Sequence, residues 1–196
     1  MFVPLLAACL AAAFGLWYVA LPLLLLTGFM AYFFRDPRRA VLTDASIVVS
    51  PADGRVTRVA QIEPGTAHTG TVVSIFLSPF DVHINRAPVA GEITDVTYQK
   101  GRFVIATRED ASLVNEQNAL TIKGEHVTVI CKQIAGVLAR RIVCWKHAGE
   151  RVALGERFGL IKFSSRTDLI LPPEVEVTVR VGDRVRGGTS LIGRVR

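Results

Sequence analysis

Val181-Gly182-Asp183-Arg184-Val185, followed by Gly187-Gly188 and Leu191-Ile192-Gly193, is the stretch that decides the fold. Gly182-Asp183 supplies a tight turn between two short strands, and Gly187-Gly188 supplies a second. Upstream, Ser50-Pro51-Ala52-Asp53-Gly54-Arg55-Val56 carries the same turn chemistry and reads as the partner hairpin. The pattern repeats outward from these two pieces. Ile47–Ser50, Arg55–Val59, Thr71–Leu77, Gly91–Tyr98, Ala119–Ile122, His126–Cys131, Val175–Val181 and Leu191–Val195 are apolar or alternating runs bounded by turn residues. Strands this short, this closely spaced, predict a mainly β domain, a sandwich or barrel, with a minor α+β contribution. Helical signal is confined to Asp110–Asn115 and the N-terminus.

The paired turn-strand-turn pieces look like the half-barrel of lipoyl- and biotinyl-type domains. Those carriers present an exposed lysine in a tight turn. No lysine occurs after Lys162, so a carrier role is not expected. A length of 196 residues suits one modest domain and an appendage. Half the residues are hydrophobic, which excludes a disordered chain. The net charge is +6, and Arg supplies eighteen of the 23 basic residues, favouring forked contacts to phosphate or carboxylate. The arginines are scattered, with few interleaved aromatics, so a nucleic-acid partner is not expected. Cys9, Cys131 and Cys144 lack metal or redox spacing and read as reduced.

Residues 1–34 contain no Asp, Glu, Lys, Arg or His, and the first charge is Arg35. The run lacks the basic start and small-residue end of a signal peptide. It exceeds the roughly 20 apolar residues that one span needs and falls short of two. Pro22 is expected to divide it, giving one kinked span or a shallow membrane hairpin. Trp17, Tyr18 and Tyr32 would lie at the interface. Arg35, Arg38 and Arg39 then place the following domain on the cytoplasmic side of the cell membrane. The expected organisation is an anchor at 1–34 and a β domain at 35–196.

The usual catalytic signatures are missing. His68, His83, His126 and His147 have no zinc-ligand spacing, so no metal site is expected. Ser165 is outside any G-x-S-x-G elbow, and no glycine-rich phosphate loop follows a strand. Two segments stand out. Phe80-Asp81-Val82-His83-Ile84-Asn85-Arg86-Ala87-Pro88 is dense in polar groups directly after an apolar strand. Arg157–Pro172 (RFGLIKFSSRTDLILP) is an apolar strand, two serines, a polar trio and a second apolar strand, readable as a hairpin with a two-serine turn.

Together these segments resemble the short, bacterial and archaeal type of phosphatidylserine decarboxylase. The matching pieces are Tyr32–Arg38 (YFFRDPR), Ser50–Val56 (SPADGRV), Phe76–Pro88 (FLSPFDVHINRAP), Asn115–Asn118 (NEQN), Gln133–Trp145 (QIAGVLARRIVCW) and Gly155–Pro172 (GERFGLIKFSSRTDLILP). The resemblance implies a proenzyme that cleaves itself at Ser164-Ser165. The Ser165 hydroxyl attacks the Ser164 carbonyl in an N-to-O acyl shift, and elimination from the ester leaves a dehydroalanine that becomes a covalent pyruvoyl cofactor. The products are a β chain, 1–164, and an α chain, 165–196. The pyruvoyl ketone would form a Schiff base with the phosphatidylserine amine and delocalise the carbanion left by carbon dioxide, giving phosphatidylethanolamine. An anionic phospholipid and the membrane are the implied partners, and a homo-oligomer is compatible with the resemblance.

The same resemblance implies that Asp53 supports the histidine and serine in cleavage. His83 is the implied proton carrier, since neutral imidazole exchanges protons near pH 7. Asn85 and Arg86 would contact substrate, with Arg86 on its carboxylate or phosphate. The chain departs from the family pattern twice. Arg86 stands where long-type members have a second histidine, so His83 serves both steps or another group is the base. Ser164 replaces glycine, and a serine at positive φ costs about 1 kcal/mol or more, so cleavage would be slower or lost. A membrane-anchored β adaptor that kept the fold without cleavage is the alternative.

Overall fold

The N-terminal unit runs to Pro37 and the second unit from Arg38 to Arg196 in the computed structural model, which describes residues 2–41, 44–62, 69–108, 110–137, 141–163 and 165–196. In the first unit, α1 (Phe2–Ala13) and α2 (Trp17–Phe33) pack on each other. The break falls at Gly15, not at Pro22. Gly15 takes a φ of +73°, Leu16 N–H donates to the Ala11 carbonyl at 2.8 Å and Gly15 N–H to the Ala12 carbonyl at 3.0 Å. That double bond satisfies the last carbonyls of α1 and ends it. Pro22 sits inside α2, where it forfeits one hydrogen bond without ending the helix.

This corrects the expected membrane span. Helices of 12 and 17 residues are about 18 and 25 Å long, against about 30 Å of bilayer hydrocarbon. No helix among the described residues is long and apolar enough to cross a membrane. What forms is a short apolar helical hairpin. Two of the arginines that follow are already engaged. Arg35 lies 3.8 Å over the Tyr32 ring, and Arg39 is bound within the second unit.

The second unit is mainly β, as predicted. Its strands are β1 (Ile47–Val49), β2 (Gly54–Ile62), β3 (Gly70–Leu77), β4 (Ile84–Arg86), β5 (Gly91–Gln99), β6 (Gln117–Gly124), β7 (Thr128–Ile134), β8 (Ile142–Cys144), β9 (Arg151–Val152), β10 (Arg157–Ile161), β11 (Ser165–Leu171), β12 (Val175–Val177), β13 (Arg184–Val185) and β14 (Leu191–Val195), with one helical turn, α3 (Ala111–Val114). Eight form a curled half-barrel in the order β13-β2-β3-β11-β7-β6-β5-β9. Two three-stranded sheets, β1-β14-β12 and β4-β10-β8, complete the unit. The two glycine-turn pieces do come together. Arg184 pairs with Arg55 and Val185 with Gly54, while Gly188 N–H donates to the Ser50 carbonyl at 2.8 Å. The run at 175–181 is strand only over its first three residues.

The two-serine segment is not a hairpin. β10 pairs with β4 and β8, whereas β11 lies between β3 and β7 in the large sheet. The chain therefore passes from one sheet to another between the end of β10 at Ile161 and the start of β11 at Ser165. Alternation sorts the sides of β11. Ser165, Thr167, Leu169 and Leu171 share one face, and Leu169 and Leu171 join the core with Ile75, Leu77, Val129, Cys131, Leu120 and Ile122. Along that face the core turns polar toward one end. Leu169 gives way to Thr167 and Ser165, Cys131 to Gln133, and Leu120 to Asn118.

Candidate active site

Register gathers the loops at that polar end. Leu77 lies opposite Ser165, Arg166 opposite Ile134, Gln117 opposite Ile134, Gln99 opposite Gln117, and Arg55 opposite Phe76. Two of these strand ends adjoin candidate residues: Leu77 leads toward His83, and the Asp53 turn runs into β2 just before Arg55. The 78–83 loop brackets the crossover. It leaves β3 at Leu77, opposite Ser165, and returns where the His83 carbonyl accepts the Ile161 N–H at 3.3 Å.

Ser165 is fully buried, and its Oγ has no hydrogen-bond partner among the described residues. Native structures rarely leave a buried hydroxyl unpaired, and leaving one so costs about 1–3 kcal/mol. Two residues earlier, Phe163 has a φ of +64°, left-handed and non-glycine. A bulky residue there stores about 1–3 kcal/mol of strain. Ser164 and His68 lie outside the described residues. The expected backbone cost at Ser164 therefore lies outside the described residues, and the positive φ at Phe163 is a separate feature that the sequence did not point to.

His83 is buried, and its Nδ1 lies 2.9 Å from the Asp81 carbonyl. A carbonyl only accepts, so Nδ1 carries the proton and Nε2 is the basic nitrogen. Asp81 holds this loop from its other side, accepting Ser78 N–H at 2.9 Å and Ser78 Oγ–H at 2.7 Å. Asp53 lies in the turn just before β2. Its Oδ2 accepts from Arg39 Nη2 at 2.6 Å and its Oδ1 from Gly187 N–H at 2.8 Å. The neighbouring Gly54 lies so close to β3 that a Cβ would stand 2.2 Å from the Phe76 carbonyl oxygen. Asp53 thus fastens its loop at the same end, with Arg39 completing it.

Arg86 is buried, and its Nη1 donates to the Gly155 carbonyl at 3.0 Å. The turn carrying that carbonyl is held by Glu156, whose carboxyl the Lys146 ammonium keeps below the usual carboxylate range. Asn85 is spent inside the protein. Its amide donates to Thr167 Oγ1 at 3.0 Å, and its Oδ1 accepts from Gln133 Nε2 at 2.9 Å. Gln133 Oε1 in turn accepts from Asn118 at 3.1 Å, and Gln133 Nε2 also donates to the Val143 carbonyl at 3.4 Å. This amide relay joins β11 to β4, β7, β6 and β8 on the face that carries Ser165. Gly159 makes room for it, since a Cβ there would lie 2.9 Å from Gln133 Nε2.

The opposite face holds a buried pair that sequence reading left unassigned. Arg166 Nε and Nη2 donate to the two Asp168 carboxylate oxygens at 2.6 and 2.8 Å, and Nη1 donates to the Arg108 carbonyl at 3.1 Å. The i, i+2 spacing on a strand was its signal. Asn115 pins the same loop, bonding Val104 N–H, the Val104 carbonyl and the Ala135 carbonyl. A cavity of about 610 Å³ lined by Asp44, Gly91, Lys123, His126 and Arg151 sits at the other end of the sheet and holds none of the site residues. His147 is exposed and bonds Glu150.

Comparison with known proteins identifies the family. The family profile described as phosphatidylserine decarboxylase matches residues 26–193. A Solibacter usitatus protein named phosphatidylserine decarboxylase proenzyme is 51% identical over 193 residues, covering 96% of this chain and 92% of its own length. Proteins of the same name from Symbiobacterium thermophilum and Nitrosomonas eutropha are 47% and 45% identical, covering 97% and 93% of this chain and 90% and 86% of theirs. The chain belongs to the phosphatidylserine decarboxylase family.

Proposed function

We propose that this family member converts phosphatidylserine to phosphatidylethanolamine and carbon dioxide, using a pyruvoyl group that it makes from its own Ser165. The observation that carries the reading is the buried, unpartnered Ser165 hydroxyl at the start of β11, two residues after the strained Phe163. A nucleophile held dry, with no competing partner, beside a strained crossover is prepared for attack on the preceding carbonyl. The Ser165 oxygen bonds to that carbonyl carbon as the peptide C–N bond breaks, giving an ester. β-Elimination releases the 1–164 carboxylate, and water hydrolyses the remaining dehydroalanine to a ketone with loss of ammonia.

His83 is the base in this reading, with its Nδ1 proton fixed on the Asp81 carbonyl and Nε2 as its basic nitrogen. Asp53 acts by holding the 51–54 loop and Arg39 against Gly187. Asn85 positions β11 through Thr167, and Arg86 is the buried guanidinium assigned to the anionic substrate. The orphaned hydroxyl at the polar end of the core fits a small keto group in its place, and such a group would supply an electron sink for the carbanion that decarboxylation leaves. The protein then orients the carboxylate and delivers a proton. The apolar hairpin and the cytoplasmic membrane surface complete the assignment, with an anionic phospholipid as substrate.

The test is Ser165→Ala, assayed for carbon dioxide released from carboxyl-labelled phosphatidylserine. The expected result is one intact, inactive chain. Release by that variant would contradict the assignment.

A further inference from the structure

The half-barrel has a second way to meet a bilayer, separate from the helical hairpin. The loops that leave the sheet at the Ser165 end carry large apolar side chains in water. Phe80 is 66% exposed, Ile105 58%, Leu113 75% and Val137 45%. Each follows from the register already described. Phe80 lies in the loop after β3, Val137 in the loop after β7, and Ile105 and Leu113 in the segment between β5 and β6. Three connecting segments thus present four apolar tips at the end of the sheet that holds one buried hydroxyl. Single exposed apolar residues are ordinary, but a ring of them around a site marks an interaction surface.

Charge at this end selects the occupant. Lys100, Arg102 and Arg141 are exposed and form no ion pair among the described residues, whereas Arg108 is neutralised by Asp110. Apolar tips ringed by unpaired cations complement an anionic lipid surface, where acyl chains lie beneath negative headgroups. The loops are also held in place. Asn115 ties the Ile105 segment to the end of β7 through Val104 and Ala135, and Arg166 ties it to β11 through the Arg108 carbonyl. A rigid rim immersed at headgroup depth would bring the headgroup to a buried Ser165 while the acyl chains stay in the bilayer.

We propose that the Ser165 end of the half-barrel docks on the anionic phospholipid surface, with Phe80, Ile105, Leu113 and Val137 as the inserting tips and Lys100, Arg102 and Arg141 as the cationic ring. The proposal rests on the decarboxylase reading for its purpose, though its physical test does not.

The test uses the full chain and a charge-inserted variant, Ile105→Glu/Leu113→Glu/Val137→Glu, at exposed positions outside the catalytic machinery. Activity is compared on long-chain phosphatidylserine in vesicles and on a monomeric phosphatidylserine with acyl chains of about six carbons or fewer. The variant should lose roughly tenfold or more on dilute vesicles and stay within about twofold on the monomeric lipid. Separately, an environment-sensitive probe on Leu113→Cys, in a Cys9→Ser background, should be quenched by nitroxide lipids in phosphatidylserine-containing vesicles and released by salt. Equal loss on both substrates, or a probe that lipid nitroxides do not quench, overturns the proposal. So does a dimer that the charge variant dissolves, which assigns the face to a second copy. An unmodified chain that decarboxylates neither substrate while its probe is quenched refutes the decarboxylase reading and leaves the docking surface standing.

Discussion

Ser165 and Phe163 show how much rests on two residues. The serine was legible because it stands just before a polar trio between two apolar strands and matches a family segment. Phe163 was not legible, because its positive φ is imposed by a crossover between sheets that no local pattern reveals. If that strain helps cleavage, Phe163→Gly and Phe163→Asn, both tolerant of left-handed backbone, should slow the appearance of two chains on a gel by roughly tenfold, the worth of about 1.4 kcal/mol. Unchanged processing would remove strain from the account. Cys131 gives a second residue-scale prediction. Burial first, then the charge of Asp168, pushes its thiol well above the ordinary thiol range. Above about pH 9 the unfolded chain releases a proton that the folded chain keeps, so stability should fall as pH rises, by up to about 1.4 kcal/mol per pH unit from this group. Urea unfolding between pH 8 and about pH 10 should show a shallower decline in Cys131→Ala, although that variant starts less stable.

At the scale of elements, the strands were easier to read than their partners. The runs at 47–50, 71–77, 91–98 and 191–195 became β1, β3, β5 and β14, because alternation and turn residues are local signals. The pairing of β10 with β4 and β8, away from β11, depends on contacts far apart in sequence. The amide relay was hidden for the same reason, since Asn85, Gln133 and Asn118 meet only after four strands have assembled. Replacing its centre, Gln133→Leu, leaves the Asn85 carbonyl and the Asn118 amide unpaired in the interior. The expected cost is about 2–4 kcal/mol, read as a lower melting temperature together with slowed processing. A variant that melts lower yet processes at the normal rate would make the relay a stabiliser only, without a positioning role.

For the whole molecule, the uncharged N-terminus was plain in composition, but its architecture turned on one glycine. Gly15 ends α1 after 12 residues and α2 has 17, so neither helix reaches the length of a span. The core cluster lies entirely within the second unit. A chain beginning at Arg38 should therefore fold and process, with weakened vesicle binding in flotation assays. Failure to process would mean that the hairpin is needed to form the site.

Intact-mass analysis of the freshly purified protein, before and after hydroxylamine, bears most directly on the internal rupture from which everything catalytic follows. Scaled from 21.4 kDa for 196 residues, the account predicts a fragment of about 3.5 kDa covering 165–196, lacking a free amino terminus and gaining an oxime. A single continuous 21.4 kDa chain that takes up no hydroxylamine would contradict it.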